Sequence, residues 1–518
     1  MAEPVEEPSN RPSDPWGRIK NLKSKRNGSN TWQVVAGSAV LGLVVATGAV
    51  LAAGPWDNGQ RKAERQLAAA ADRTGGAHHG RRLPGAPEPA PSAPAVLGAL
   101  DTTVTRSAPQ DPASLRTALA PLIGEPALGT RVAASVIDTA TGKELYGRGA
   151  TAPMTPASTV KIATATAALS ALGPDHRIAT TVRLSEDART LTLVGGGDPT
   201  LSPAGLKSLA ASAARAIEEA DATGVRLTYD TSRYTGPERH PIGKNPNLAP
   251  VTALMVDEAR LDDTDRGPAT RSEDPAGDAA RAFAAQLKKA GVKVTGAPRE
   301  ARAPGKARTV ATHHSAPLSA LVERTLTNSD NDIAEALARQ TAIAKGESAD
   351  FAGAGRAVTT ELRKLKVPTA GARLADGSGL DREGRVTATL LTTLLARACD
   401  PERPGLRPVL TGLPVAGFTG TLSTRYQDAT GASGLIRAKT GTLSGVNSLA
   451  GTVVDPQGRL LAFAFLASGS ASATEAEPAL DALAAALAGR AAEGGRGRPS
   501  APEEPRNTPP PGEGLTYG

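Results

Sequence analysis

Three short motifs supply the hydroxyl, amine and amide side chains that nucleophilic catalysis uses. In chain order they are Ser158-Thr159-Val160-Lys161, Ser329-Asp330-Asn331 and Lys439-Thr440-Gly441. A serine hydroxyl is a weak nucleophile until an adjacent base takes its proton. Residues three apart on a helix lie on one face, so Lys161 can reach the Ser158 hydroxyl if a helix begins there. Lysine acts as a base only when neutral, which requires burial or a neighbouring positive charge, and Lys439 is the candidate for that charge.

Other parts of the motifs would assist the same chemistry. A helix beginning at Ser158 would direct free N–H groups and a positive dipole at developing negative charge. Gly441 would let a substrate backbone lie against its strand, because no side chain obstructs it. Each motif alone is weakly specific, since S-x-x-K is usually a helix cap and the other two are usually turns. All three in this order, as in class A β-lactamases and penicillin-binding proteins, indicate a serine acyl-transfer site.

The elements predicted around these motifs lie in two groups, one near each end of the folded region. The first group has a helix opening at Asp111-Pro112, a hairpin of 132–137 and 143–146, and a helix over 158–172. The second has a helix over 333–344, a strand carrying Lys439, a hairpin of 446–454 and 459–467, and a helix over 478–487. This arrangement favours one sheet closed by both termini.

The middle of the chain has a different pattern. Short alternating strands are predicted between 177 and 202, over 226–230 and over 292–294. Gly195-Gly196-Gly197 follows a strand, but no Gly-Lys-Ser/Thr comes after it, so a tight turn is favoured over a phosphate-binding loop. We therefore predict an α+β fold whose main domain is interrupted by a smaller α+β domain.

The residues before the folded region predict a membrane anchor. From Val34 to Ala53 an uncharged apolar run is long enough to span a bilayer. Basic residues precede it and Asp57 follows it, so the N-terminus is predicted to be cytoplasmic and the rest extracytoplasmic. A cleaved signal peptide is the alternative, because Ala52-Ala53-Gly54 could be a cleavage site. The length of the run favours a single-pass anchor in the cell membrane.

These patterns divide the chain into predicted segments. They are a cytoplasmic basic segment 1–33, a transmembrane anchor 34–54, a Pro/Ala-rich linker 55–96, a catalytic domain formed by 97–172 and 313–490, an inserted α+β domain 173–312, and a disordered tail 491–518.

Composition narrows the functional class. The chain has 59 Lys and Arg against 52 Asp and Glu, but much of the excess lies in the N-terminal segment, so no nucleic-acid partner is predicted. Cys399, the single cysteine, excludes an internal disulfide and is interpreted as a buried helix residue. Neither metal nor cofactor is predicted, because four histidines lack metal-ligand spacing and three acidic residues are interpreted as solvated or structural charge. These residues are His176, His240, His313, His314, Asp257, Glu258 and Asp262.

Over roughly residues 110–490 the chain resembles the D-alanyl-D-alanine carboxypeptidase/endopeptidase family, the class C low-molecular-mass penicillin-binding proteins. Beyond the three motifs, the resemblance rests on the stretches 193–201, 376–380 with Arg382, and 413–417 leading to 420–422 and Arg425. It implies a serine penicillin-binding-protein/β-lactamase-like domain, with an antiparallel sheet flanked by helices plus a helical subdomain. The span between Ser158 and Ser329 is short for this family, so one of its two nested extra domains is expected to be missing or shortened.

The resemblance also implies a role for each motif residue. Ser158 would attack the carbonyl of the penultimate D-alanine of a peptidoglycan stem peptide, with Lys161 as acylation base. Ser329 and Lys439 would relay the proton to the leaving D-alanine, and Asn331 would hold the substrate amide.

Binding and inhibition follow from the same resemblance. Thr440 and Thr442, on either side of Gly441, would bind the terminal carboxylate near Lys439. The N–H groups of Ser158 and Thr442 would form the oxyanion hole. β-Lactam antibiotics would mimic D-Ala-D-Ala and acylate Ser158.

Two alternatives remain at this point. A serine β-lactamase would need a deacylating carboxylate, and no Glu is placed convincingly for that role after Ser329-Asp330-Asn331. A non-catalytic wall-binding protein of the same fold would have no use for both Lys161 and Lys439.

Overall fold

The computed structural model describes residues 112–426 and 432–489. They all fall within one compact unit, 104–518. The predicted cytoplasmic segment, membrane anchor, linker and tail lie outside the described residues. Within the described ranges, no helix combines the length and the apolar character that crossing a bilayer requires.

Ten α-helices occur in the described residues. They are α1 (Pro112–Ile123), α2 (Lys161–Leu172), α3 (Pro203–Glu218), α4 (Pro275–Lys289), α5 (Leu318–Asn328), α6 (Asn331–Ala344), α7 (Phe351–Lys364), α8 (Ala388–Cys399), α9 (Pro408–Thr411) and α10 (Ala473–Leu487). The last begins before the predicted start at Pro478, which lies inside it.

Ten strands form two five-stranded sheets in the same residues. They are β1 (Arg131–Asp138), β2 (Glu144–Arg148), β3 (Ala179–Leu184), β4 (Thr190–Val194), β5 (Arg226–Asp230), β6 (Arg299–Glu300), β7 (Arg308–His314), β8 (Ile436–Leu443), β9 (Val446–Val454) and β10 (Leu460–Ser468). The first sheet has the order β2-β1-β10-β9-β8 and the second β6-β5-β4-β3-β7.

The first sheet is antiparallel and joins both ends of the folded region, as the sequence predicted. Alternate residues of β10 face opposite sides, as the period of two requires. Phe463 and Phe465 face a core shared with α1 and α10, whereas Ala462 and Ala464 face the helices α2, α5, α6, α7 and α8. The small alanine side chains let α8 pack closely on this face.

The second sheet is mixed, with β4 pairing parallel to β5 and β5 parallel to β6. Helices α3 and α4 cover it, and the apolar face of α4 buries Phe283 and Leu287 against the strands. The predicted strand at Val292–Val294 is wrong, because only Val294 forms a bridge. Val292 instead donates its N–H to the Leu287 carbonyl after Gly291 (φ +87°), which closes the end of α4 as a Schellman motif.

Helix α6 carries several of the contacts between the inserted segment and the first domain. Nearly the whole of this helix, from Asp332 to Ala342, is buried. Asp332 Oδ1 accepts the Ala249 N–H at 3.0 Å, and Gln340 donates to the Gly196 carbonyl at 2.7 Å. One helix therefore lies between the insert and the site that carries the S-x-x-K motif.

Candidate active site

The Ser158 hydroxyl and the Lys161 amine lie side by side. Ser158 is in a 3₁₀ turn, Ala157–Val160, directly before α2, so the α-helix begins at Lys161 rather than at the predicted Ser158. Lys161 Nζ donates to Ser158 Oγ at 2.9 Å, which is the contact expected from their spacing. Ala157 has φ +48°, a left-handed conformation that non-glycine residues adopt at a cost and that clusters at functional sites.

Lys161 is fully buried, and its amine donates hydrogen bonds to three acceptors. Besides Ser158, its amine donates to Asn331 Oδ1 at 2.6 Å and to the Ser378 carbonyl at 2.7 Å. Burial lowers the pKa of Lys161 to about 8, because a charged amine loses its hydration there. Four nearby carboxylates oppose this shift: Asp376, Glu335, Asp330 and Asp332. The pKa of this amine is therefore close to neutral pH, and a general base works best when its pKa lies near the pH of the reaction.

Lys439 lies on β8, is also fully buried, and donates to the Thr440 carbonyl at 2.7 Å. Burial lowers the pKa of Lys439 well below its usual value, and the charge of Lys161 lowers it further. The role of Lys439 as the positive charge that helps to lower the pKa of Lys161 stays a prediction. Burial is the largest cause of the low pKa of Lys161, and the carboxylates around that amine oppose the shift.

The Ser329-Asp330-Asn331 motif joins two helices. Ser329 ends α5 with φ +59°, and Asp330 caps α6 by accepting the Ile333 N–H at 3.0 Å. Asn331 uses both ends of its amide, because Nδ2 donates to the Asn247 carbonyl at 2.9 Å while Oδ1 accepts from Lys161. The motif thus brings Asn331 to the Lys161 amine. The hydrogen bonds among the described residues include none from the Ser329 hydroxyl.

Strand β8 packs directly against the Ser158 turn at Gly441. A Cβ on Gly441 would lie 3.0 Å from the Ser158 nitrogen and 2.9 Å from the Pro156 carbonyl oxygen. Ser448 Oγ, on neighbouring β9, donates to the same Pro156 carbonyl at 2.7 Å. Contact with the turn is thus a second reason for glycine at this position, beside the expected room for substrate.

The two threonines beside Gly441 have different partners. Thr440 Oγ1 donates to Thr421 Oγ1 at 2.8 Å, and Thr421 belongs to the family-like stretch 420–422. Thr442 Oγ1 donates to Glu477 Oε1, on α10, at 2.9 Å. A carboxylate therefore lies beside the residue expected to bind the terminal carboxylate of the substrate.

Sequence reasoning missed a buried acidic group behind Lys161. Glu335 accepts the Gly377 and Ser378 N–H groups, and Asp376 accepts from Ser378 Oγ and from His240 Nε2. Glu335 lies one helical turn after Asn331, so the spacing could have identified it. His240 had no such signal, because 136 positions separate it from Asp376.

A second buried acidic group lies beneath the Ser329-Asp330-Asn331 motif. Glu258 pairs with Arg260 and Arg324, and Asp332 pairs with Arg271 at 2.9 Å. Burial, reinforced by the charge of Asp330, raises the pKa of Glu258 to about 8, and burial raises that of Asp332 to about 7. Of the two interpretations offered for Glu258, structural charge is the one that applies.

Among the residues that the structure describes, two triads have the spacing of possible metal ligands, with their atoms within 4.8 Å of one another. They are His240, Glu335 and Asp376, and Glu258, Asp330 and Asp332. Hydrogen bonds from backbone N–H groups and His240 account for the first, and ion pairs with arginines for the second. The arrangement at Ser158 can therefore support acyl transfer through the protein's own hydroxyl and amine groups.

Comparison with known proteins gives the family. The profile of the D-Ala-D-Ala carboxypeptidase 3 (S13) family matches residues 115–267 and 262–489. Carboxypeptidase DacB of Mycolicibacterium smegmatis is 40% identical over 473 residues, which cover 88% of this chain and 96% of that protein. A carboxypeptidase of Mycobacterium tuberculosis is 39% identical over 437 residues, 80% of this chain and 91% of the relative.

A solved structure agrees with the predicted fold. Penicillin binding protein 4 from Haemophilus influenzae superposes with a TM-score of 0.59 at 22% identity, covering 71% of this chain and 98% of that one. The same protein has been solved with a bound β-lactam. The predicted α+β, penicillin-binding-protein-like fold is confirmed. The chain belongs to the D-Ala-D-Ala carboxypeptidase 3 (S13) family, and it is an enzyme of that class.

Proposed function

We propose that this enzyme cleaves peptidoglycan stem peptides through an acyl-enzyme on Ser158, with Lys161 as the base. The observation that carries the proposal is the 2.9 Å contact between the Ser158 hydroxyl and a buried amine whose pKa is about 8. With that pKa, roughly a tenth of the enzyme holds Lys161 neutral at pH 7. An ordinary exposed lysine would be neutral in well under a hundredth of the molecules.

In acylation, Ser158 Oγ attacks the carbonyl carbon of the penultimate D-alanine and Lys161 takes the hydroxyl proton. The N–H groups of Ser158 and Thr442 stabilise the oxyanion, a role supported by the close packing of β8 on the Ser158 turn. The C–N bond then breaks and the leaving D-alanine takes a proton. Water finally attacks the Ser158 ester, which releases the shortened peptide and restores the hydroxyl.

We assign the proton transfer to the leaving amine to Lys439 together with Ser329. The low pKa of Lys439 supports this role, because a neutral amine can accept a proton and the resulting ammonium can pass it on to the leaving amine. A substrate carboxylate beside Lys439 would raise its pKa, so substrate binding itself would bring the proton to the relay.

We propose that β-lactams acylate Ser158 as substrate mimics and are released slowly. A lactamase needs a free carboxylate to activate the deacylating water, but Glu335 is occupied by the Gly377 and Ser378 N–H groups. Rapid, repeated nitrocefin hydrolysis by the purified protein would favour the lactamase alternative.

The direct test of the proposed nucleophile is intact-mass analysis after incubation with benzylpenicillin. Wild type should gain the mass of one drug molecule, and Ser158→Ala should gain none. An equal adduct on both proteins would remove Ser158 from its role. Failure of wild type to release D-alanine from diacetyl-Lys-D-Ala-D-Ala would instead favour the wall-binding alternative.

We further propose that 34–54 anchors the protein in the cell membrane with the catalytic domain outside the cytoplasm. The uncharged apolar run and the basic residues before it support this topology. Expressed in full, the chain should sediment with membranes and retain its N-terminal peptide in mass spectrometry. A mature N-terminus near Gly54 would favour the cleaved signal peptide instead.

A further inference from the structure

His240 is a buried residue of the inserted segment that reaches the first domain. Its side chain is only 2% exposed, and Nε2 lies 3.1 Å from Asp376 Oδ2. Nδ1 accepts the Ile242 N–H at 3.1 Å, so the ring proton lies on Nε2 and is donated to Asp376. The edge of the ring packs against Phe351. Both nitrogens and the ring face are therefore fixed.

Asp376 shapes the turn that supplies an acceptor to Lys161. Its Oδ2 also accepts Ser378 Oγ and the Asp381 N–H, both at 2.9 Å, and its Oδ1 accepts the Gly379 N–H at 2.9 Å. This turn presents the Ser378 carbonyl, which accepts the Lys161 amine at 2.7 Å. A continuous series of hydrogen bonds thus runs from His240 to the amine beside Ser158.

We propose that His240 is a positioning residue for acylation: through Asp376 and the Ser378 carbonyl it fixes the Lys161 amine beside the Ser158 hydroxyl. The inserted domain is thereby coupled to the acylation step. This inference rests on the proposed role of Lys161 as the base. An uncompensated Asp376 in this buried site would turn toward other donors and distort the turn.

The charges around His240 determine how its loss would change the pKa values of Asp376 and Lys161. Glu335 on α6, and Asp376 and Asp381 on the turn, face it. Burial acts to lower the pKa of His240, but the hydrogen bond to Asp376 and these charges outweigh it and raise the pKa. Burial likewise acts to raise the pKa of Asp376, but the hydrogen bonds from His240, Asp381 and Ser378 together outweigh it and lower the pKa, so that carboxyl stays ionised.

Loss of the His240 donor therefore changes Lys161 in a predictable way. Without it the pKa of Asp376 rises, and the carboxyl spends more time protonated. Among the nearby charges, that of Asp376 does the most to raise the pKa of Lys161. Because protonation of Asp376 removes this charge, the pKa of Lys161 falls. The pH at which acylation is half-maximal should fall with it.

The test measures the second-order rate constant for benzylpenicillin acylation of the full-length protein between pH 5.5 and 9.5, by intact mass. His240→Leu should lower the plateau rate about 10- to 100-fold, as a misplaced reacting group does, and lower the midpoint pH. His240→Gln, whose amide can still donate to Asp376, should keep most of the rate and the wild-type midpoint. His314→Gln, an exposed histidine on β7, is the matched control and should match wild type.

Asp376→Asn is a second test of the inference, and it remains informative even if His240→Leu fails to fold. It removes the charge with little change of shape, so the midpoint should fall. In the double variant His240→Leu/Asp376→Asn, the rate should be no lower than in the worse single variant, because both act on one path.

If both Asp376→Asn and His240→Leu keep the wild-type midpoint pH of acylation, the inference is overturned. A purely structural role for these two residues would lower the fraction of active protein and leave that midpoint unchanged. That result leaves the acyl-enzyme proposal standing if wild type still gains one adduct that Ser158→Ala lacks. Absence of the wild-type adduct would reject the acyl-enzyme itself.

Discussion

Replacement of Gly441 by alanine perturbs the contact between β8 and the Ser158 turn. The new Cβ would overlap Ser448 Oγ and would lie 2.9 Å from the Pro156 carbonyl oxygen and 3.0 Å from the Ser158 nitrogen. Two of these atoms are backbone, and the Ser448 hydroxyl is held by its bond to Pro156. The strand and the turn must therefore separate by several tenths of an ångström.

That separation has two measurable consequences. Overpacking of this kind costs about 1–3 kcal/mol in the free energy of unfolding. Displacement of the nucleophile and of the expected oxyanion donors should reduce benzylpenicillin acylation about 10- to 100-fold, since misplacement by 1 Å costs on the order of 100-fold. The loss should exceed what the drop in stability explains when the assay is run well below the unfolding midpoint.

The assay combines thermal unfolding with acylation followed by intact mass. Gly305→Ala is the control, because its new Cβ would meet open space and its backbone is not in the left-handed region. Gly441→Ala/Ser448→Ala removes the closest overlap but leaves both backbone contacts, so acylation should remain slow. Wild-type acylation in Gly441→Ala, or full recovery in the double variant, would refute the assigned contact between β8 and the turn.

Three further predictions concern charge. Arg271→Leu should cost about 3–5 kcal/mol at pH 8 in denaturant unfolding, because it leaves Asp332 unpaired. The control Arg281→Leu, which loses two exposed pairs, should cost about 0–1 kcal/mol for each. The Arg271→Leu loss should shrink at pH 5, because a carboxyl whose folded pKa is raised regains stability as it takes up its proton; equal losses at both pH values would contradict this. Glu477→Gln should lower the KM for a peptide with a free terminal carboxylate by up to about fivefold, since it removes a like charge beside Thr442; an unchanged KM would place the carboxylate elsewhere.

The sequence predicts the catalytic contacts that arise within a helix or along a strand. The Ser158–Lys161 contact follows from helical periodicity, and the location of Lys439 on a strand of the terminal sheet follows from alternation in the hairpin after it. These signals are local, so no knowledge of the tertiary fold is required.

The sequence does not predict contacts that the tertiary fold alone creates. His240 and Asp376 are far apart in the chain, and each residue taken by itself resembles an ordinary polar residue of a loop. The pKa shifts of Lys161 and Lys439 depend on burial and on where the carboxylates lie, which the tertiary fold determines. Val292 resembles a strand residue in the sequence, because a β-branched side chain suits a strand as well as the apolar contact after a helix.

The proposed catalysis depends above all on the buried Lys161 amine taking the proton from Ser158. The pH dependence of D-alanine release from diacetyl-Lys-D-Ala-D-Ala at low substrate concentration tests it most directly, because that profile reports the free enzyme's base. If Lys161 is the base, activity should rise with a midpoint near its pKa of about 8 and should be lost in Lys161→Met. A profile that stays flat through this range, or substantial activity in Lys161→Met, would contradict it.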